Sequence, residues 1–303
     1  MTTDHGPPTA DHRPLDDALG GSSVVGRRSS PFDGMAAGYD SGFTESRIGA
    51  LMRQAVWRRI DARFRPGDRV LELNCGTGED AVYLARRGVR VLATDIAPAM
   101  LDVARAKVAR AGLADLVEVR QLAIEELRKQ KEEGRMPEEA RDSFSILHSS
   151  FSIPFDGALS NFGGLNCVAD LPGVAAGLAS RLRPGAVALL CVMGPLVPWE
   201  WAWYLRRGQP GKAFRRLRRG GVAWRGLTIS YPSIGALRRA FAPWFRAQRV
   251  SAVGALLPPS YVEEWAAQRP RLLDRLGRWE RRAETWPPLP WLADHYLVEL
   301  ERV

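Results

Sequence analysis

A chain of 303 residues with 46% apolar and 25% charged side chains has the apolar content to bury a sizeable core in one large or two modest domains. Its three cysteines, Cys75, Cys167 and Cys191, have no metal-ligand spacing and cannot all pair, which argues against a zinc site or disulfide framework and for a reducing, cytoplasmic setting. The formal charge of +9 is uneven: residues 191–303 hold 19 Lys or Arg against 9 Asp or Glu, and nine of the ten tryptophans lie beyond residue 198.

In chain order, residues 1–30 are rich in Pro, Gly, Ser and Asp and lack an apolar h-region, so they read as a disordered tail rather than a signal peptide. Short apolar runs of strand length follow at 69–73, 89–94, 116–121, 155–160 and 186–193, with helical patterns at 79–87, 98–111 and 172–182 between them. This alternation predicts a parallel sheet covered on both faces. The long apolar run 186–205 is interrupted by Pro195, Pro198 and Glu200, which suits a buried strand and an irregular segment rather than a membrane span. The mixed charges of 125–142 read as a solvated face. Beyond residue 194 come an aromatic and basic segment (195–225), a strand at 226–231, a helix at 233–245, a strand at 247–257, a helical stretch at 260–284 and a last strand from His295.

The most informative stretch is VLELNCGTGED, residues 70–80. A strand running into Gly76-Thr77-Gly78 and then a helix sets free backbone N–H groups over a ligand. With Ala81, the two glycines also satisfy the dinucleotide fingerprint, a weak match on its own. Glu72, Glu79 and Asp80 surround this turn, and like charges at about 4 Å repel by several kcal/mol even at an effective dielectric near 20, which disfavours a pyrophosphate. A ligand bearing ammonium and sulfonium charge meets no such repulsion. Asn74 stands where such turns usually begin with glycine, and asparagine is among the least costly replacements at a left-handed backbone position.

These residues resemble the first motif of the class I S-adenosylmethionine-dependent methyltransferases, an acid followed by glycines at alternate positions. VRVLATDIAPAMLDVARAK agrees, setting Asp95 at the end of the next strand, 23 residues after Glu72, where one carboxylate can bind two ribose hydroxyls. The resemblance covers roughly 31–194 and the last two strands. It implies S-adenosylmethionine as cofactor, with Glu72, Asn74, Cys75, Gly76, Thr77, Gly78, Asp95, Ile96 and Met100 in its site. It further implies Ala123 and Ile124 beside the adenine, Ser160, Asn161 and Phe162 beneath the methionine moiety, and Tyr39 in a closing N-terminal helix-turn. The expected fold is α/β, a Rossmann-like doubly wound seven-stranded sheet, mainly parallel, with an antiparallel last strand and a helical, aromatic-basic substrate cap. Its parts are a tail (1–30), an N-terminal helical lid (31–60), a cofactor-binding core (61–194), a cap (195–246) and a completing unit (247–303).

Methyl transfer needs mainly proximity, orientation and exclusion of water, and no residue here identifies a general base; His148 and His295 lack a visible carboxylate partner, and Cys75 reads as a small buried hydrophobe. Family members that methylate adenine or glutamine amides carry Asn or Asp, then Pro-Pro and an aromatic, after the fourth strand; here Ser160-Asn161-Phe162-Gly163-Gly164 stands there, which weighs against nucleic acid despite a pI near 10. Residues 206–225 hold eight Lys or Arg and no acid, with four tryptophans between 199 and 224. A solvated face, a peripheral contact of 195–225 with anionic membrane, and an anion-binding lid for a phosphorylated or carboxylated substrate all fit. The reading is a methyltransferase of a small, hydrophobic, lipid-like or secondary-metabolite acceptor. The rivals are an NAD(P)-dependent oxidoreductase and a non-catalytic binding protein that keeps the fold.

Overall fold

A computed structural model describes residues 29–129 and 153–303, so the tail up to residue 28, His148 and most of the charged stretch 125–142 lie outside the described residues. The strands are β1 (Arg69–Leu73), β2 (Arg90–Asp95), β3 (Val117–Gln121), β4 (Phe155–Ser160), β5 (Leu182–Met193), β6 (Val222–Trp224), β7 (Leu227–Ile229), β8 (Phe245–Val253) and β9 (His295–Arg302). Seven of them form one sheet in the order β3-β2-β1-β4-β5-β9-β8. β1 to β5 pair in parallel, and β9 runs antiparallel to both its neighbours, β5 and β8. The expected seven-stranded, mainly parallel sheet with its reversed last strand is what forms.

Helices cover both faces: α1 (Arg47–Arg63), α2 (Glu79–Ala85), α3 (Pro98–Arg110), α4 (Leu171–Ala179), α5 (Pro198–Leu205), α6 (Ile234–Phe241) and α7 (Pro270–Ala283). Their starts follow local chemistry. Ser46, Asp170 and Ser233 accept hydrogen bonds from the N–H groups of Gly49, Gly173 and Ala236, while Pro98, Pro198 and Pro270 occupy first turns that need no donor. The period-two alternation of the central strands divides their side chains between two cores. Val70, Leu189 and Leu297 join Ile48, Met52, Val56 and Ile60 of α1 on one face. Leu71, Leu190 and Val298 join Val174 and Leu178 of α4 and Leu237 and Phe241 of α6 on the other.

Three details depart from the sequence reading. α6 belongs to this second core layer, not to the cap with 195–231, because its buried Ile234, Leu237 and Phe241 pack with α4. The helical stretch 260–284 breaks at Arg269, where Pro270 opens α7. The strand expected at 226–231 is shorter and outside the main sheet: β7 pairs with β6 as a hairpin across Arg225 (φ +45) and Gly226 (φ +80). Two successive left-handed residues make the tight hairpin turn, and Arg-Gly is not its usual Asn-Gly or Asp-Gly signature.

The chain leaves β1 toward β2 and β3 on one side and returns to β4 and β5 on the other. The order reverses between β1 and β4, and the crevice at their carboxyl ends is where such sheets bind ligands. α1 is fastened across this sheet by Glu299 of β9, a fully buried carboxylate that accepts from Arg59 Nε at 2.5 Å and Arg63 Nε at 2.6 Å. Breaking an ion-pair network centred on a fully buried carboxylate, with its two arginines partly buried, is costly. Glu299→Ala is expected to lower unfolding stability by about 3 kcal/mol in urea denaturation, with a loss under about 1 kcal/mol contradicting that role.

Candidate active site

The turn after β1 is built from left-handed residues: Asn74 (φ +51), Gly76 (φ +53) and Gly78 (φ +76). Gly78 is required by contact as well as by φ, since a Cβ there would lie 2.9 Å from Ala104 Cβ in α3. At Gly76 a Cβ would meet nothing within 4 Å, and Gly76 lines a cleft of about 480 Å³. Asn74 does more than tolerate its backbone. Its Nδ2 donates to the Asn161 carbonyl at 2.6 Å and its Oδ1 accepts from Ser160 Oγ at 2.5 Å, which ties the carboxyl ends of β1 and β4 together.

Asp95, at the end of β2, is almost fully buried on the cleft wall. One carboxylate oxygen accepts from the Gly76 N–H and the other from the Ala97 N–H, each at 2.9 Å. Burial raises its pKa, and these backbone donors act against the rise. Each oxygen keeps a second lone pair.

The three acids of the turn have separate fates. Glu79 pairs with Lys107 at 2.8 Å, and the buried Asp80 pairs with the buried Arg53 at 2.7 Å while accepting from Trp57 Nε1 at 2.6 Å and Asn161 Nδ2 at 2.8 Å. Neither offers free charge to the cleft, so the repulsion that would exclude a pyrophosphate is weaker than the bare sequence implies. Glu72 is buried with its Oε2 unpartnered, and desolvation first, then the charge of Asp80, pushes its pKa well above the carboxylate range.

Residues 30–44 close the cleft from above. Asp40 accepts from Thr77 Oγ1 at 2.7 Å and pairs with Lys107 at 2.9 Å, and Asp33 accepts from the Ala99 N–H at the start of α3. Phe43 meets Phe162 edge-on at 5.0 Å, and Phe162 itself, at φ +49, sits 4.9 Å beneath the Arg53 guanidinium. The hairpin β6–β7 closes the far side, with Trp224 5.1 Å from Phe32.

Of the residues singled out from sequence, Tyr39, Asn74, Gly76, Asp95, Ile96, Met100, Ile124, Asn161 and Phe162 line this cleft. Glu72, Cys75, Thr77, Gly78, Ala123 and Ser160 do not: Thr77 and Ser160 turn their hydroxyls to Asp40 and Asn74, and Cys75 is buried, where desolvation raises its thiol pKa. His295 is off the wall, 3.2 Å from Asp294 and edge-on to Phe162. Sequence reading placed Leu227, Ile229 and Tyr231 on a strand at 226–231 but not in the site, and missed Val222; the aromatic-basic composition of 195–225 marked the region but not its strand β6.

A reversed strand between neighbours in a sheet whose other six strands run one way, with a glycine turn and an acid at the switch-point crevice, defines a Rossmann-like transferase fold. Residues 70–137 match the family model described as "Methyltransferase domain". The chain is 30% identical over 224 residues to malonyl-[acyl-carrier protein] O-methyltransferase of Serratia marcescens, covering 70% of this chain and 74% of that protein. It is 33% identical over 96 residues to demethylmenaquinone methyltransferase of Symbiobacterium thermophilum, covering 28% of this chain and 36% of that one. Among solved structures, a chain from the complex between the Haloferax volcanii Trm112 methyltransferase activator and a methyltransferase aligns over 92% of this chain and 99% of its own, with a TM-score of 0.52 and 16% identity. The chain belongs to the class I S-adenosylmethionine-dependent methyltransferases, and S-adenosylmethionine is its cofactor.

The state of Glu72 has a measurable consequence. A carboxyl whose folded pKa is raised binds its proton more tightly in the folded chain, so it destabilises the apo protein as pH rises past the unfolded value near 4.3 toward the folded one. Glu72→Gln removes that dependence. Its melting temperature relative to the parent is expected to rise as pH increases above the unfolded value, and a pH-independent difference would contradict a buried, titrating Glu72.

Proposed function

We propose that the cleft holds S-adenosylmethionine against the β1 and β2 ends and a small, apolar methyl acceptor beneath the hairpin. The observation that carries this reading is the division of the cleft wall. Polar groups converge at one end, where the Gly76 turn, Asp95, Asn74 and Asn161 stand, while Phe32, Met35, Val168, Met193, Val222, Trp224, Leu227 and Ile229 line the rest. The residues fit the cofactor: open space at Gly76 admits a ligand against the backbone, and Asp95 keeps lone pairs for ribose hydroxyls. Ile96, Met100 and Ile124 offer apolar contact for the adenine, and Tyr39, Asn161 and Phe162 border the methionine portion.

Bound there, the sulfonium supplies a methyl carbon already activated for in-line displacement. What this chain adds is orientation and dryness. The Arg53–Asp80–Asn161 network fixes the floor, and residues 30–44 with the hairpin shield the reacting atoms from water. The two relatives are named for unlike acceptors, so the choice of an apolar one rests on the lining of this cleft.

The outer surface supports a peripheral contact with anionic membrane. The cap exposes Leu205, Phe214 and Leu217 among Arg206, Arg207, Lys212, Arg218 and Arg219. α7 exposes Arg271, Arg275, Arg278 and Arg282 with Leu272 and Trp279, while its acids are engaged: Asp274 by Arg47, and buried Glu280 by the N–H groups of Gly254 and Leu256. The two segments meet at Leu256, whose carbonyl accepts from Trp199 of α5. Exposed tryptophan beside unopposed arginine suits the headgroup layer. Among the described residues no helix is long and apolar enough to cross a membrane.

Asp95→Ala is expected to weaken S-adenosylhomocysteine binding by about 1 to 3 kcal/mol in calorimetry, and an unchanged Kd would refute its assignment. In flotation with vesicles, the protein is expected to partition onto phosphatidylserine-containing but not neutral membranes. Replacing Arg275 and Arg278 by Ala should reduce that by about 2 kcal/mol, at about 1 kcal/mol per arginine; equal partitioning onto neutral vesicles would exclude the contact.

A further inference from the structure

The apolar half of the cleft is not wholly apolar, because two side chains of different origin place polar groups in its wall: Arg215, at the start of a short 3-10 helix (Arg215–Leu217) beyond α5, and Tyr231, just past β7. Arg215 is the only lysine or arginine among the described residues that line the cleft. Its environment is unusual. Nη2 approaches Glu200 Oε1 at 2.7 Å as an ion pair, yet its Nε is buried with no hydrogen-bond partner.

The surroundings show how Glu200 is shared. Glu200 is buried away from the cleft and shared with Arg216, whose Nε lies 2.7 Å from Glu200 Oε2. Arg216 is in turn held by Asp294 at 2.5 Å and by the carbonyls of Gly194 and Asp294. Arg216 is therefore the structural partner of both acids, and Glu200 does not depend on Arg215 alone. The same Arg216 guanidinium lies 5.2 Å from the Tyr231 ring, so Tyr231 stands between this charge network and the cleft. The other acids on the cleft wall are remote in role: Asp95 is bound by backbone donors at the glycine turn, and Glu125 is exposed.

A planar guanidinium and a phenol in one cleft wall are suited to the oxygens of one anion, and the hairpin lining beside them suits a chain or ring without charge. We propose that Arg215 and Tyr231 form an anion-recognising subsite in the acceptor half of the cleft, so that the methyl acceptor is an amphiphile with an acidic head, carboxylate or phosphate, and an apolar body under Val222, Trp224, Leu227 and Ile229. This rests on the reading of the cleft as a joint cofactor and acceptor site. In that arrangement Arg215 is a specificity residue: it selects the head group and takes no part in holding the cofactor.

The test uses the full chain saturated with S-adenosylhomocysteine and three probes of one chain length, dodecanoate, dodecyl phosphate and dodecanol, titrated by calorimetry below their micellar range. Dodecanoate or dodecyl phosphate is expected to bind at least about tenfold more tightly than dodecanol, and their ratio tells which head the subsite prefers. Arg215→Gln should abolish the preference for the acidic head while S-adenosylhomocysteine affinity stays within about twofold; Arg215→Lys should retain part of it. Equal binding of all three probes by the unaltered protein would overturn the subsite and leave the apolar acceptor reading standing. Failure of every probe to bind would instead remove the acceptor reading on which it rests. A purely structural Arg215 would show itself as a lower melting temperature in Arg215→Gln with head-group preference intact.

Discussion

The pair of Arg53 and Asp80 is the contact through which the site is assembled. Arg53 comes from α1, Asp80 from the first turn of α2, and both are buried. Around this pair gather Trp57 from α1, Asn161 from the end of β4, and the ring of Phe162 under the guanidinium. Burial disfavours the Arg53 charge, and Asp80 beside it more than offsets that, holding the guanidinium protonated. A buried pair of this kind adds little net stability but is costly to break, so it acts as a fixed registration point between lid helix, glycine turn and fourth strand. Asn74 repeats the same tie one layer up, joining the β1 and β4 ends through Ser160 and the Asn161 carbonyl.

This constraint changes the meaning of the acids around the glycines. Read along the chain, Glu79 and Asp80 look like charges aimed at a ligand. In the fold they are internal partners of Lys107 and Arg53, and only Asp95 reaches the cleft wall. The distinction between a sulfonium ligand and a pyrophosphate therefore does not follow from the charge of the turn alone. Family membership, carried by the motif and by the relative from Serratia marcescens, identifies the cofactor.

Legibility from sequence followed the range of the interactions. β1 to β5 could be read because each is a short apolar run closed by a turn signal, and Gly76, Gly78 and Asp95 because a strand–turn–helix carries its own local spacing. The hairpin β6–β7 was half legible: β7 lies within the strand expected at 226–231, but three-residue β6 leaves almost no alternation and Arg225-Gly226 is an uncommon turn pair. α6 was grouped with the cap because nothing local tells which surface an amphipathic helix will cover. Partner choice was hidden for the same reason, since Arg53 meets Asp80 across 27 residues and Arg216 meets Asp294 across 78.

In the proposed site, one crevice formed by the turn after β1, the end of β2, the β4 turn and the lid receives the cofactor on a floor set by Arg53 and Asp80. Hydrogen-exchange mass spectrometry with and without S-adenosylhomocysteine tests it most directly. Exchange is expected to slow in peptides covering 30–45, 73–80, 94–101 and 160–166, with little change in α7 or β8. Protection absent from these four segments, or centred elsewhere, would contradict it.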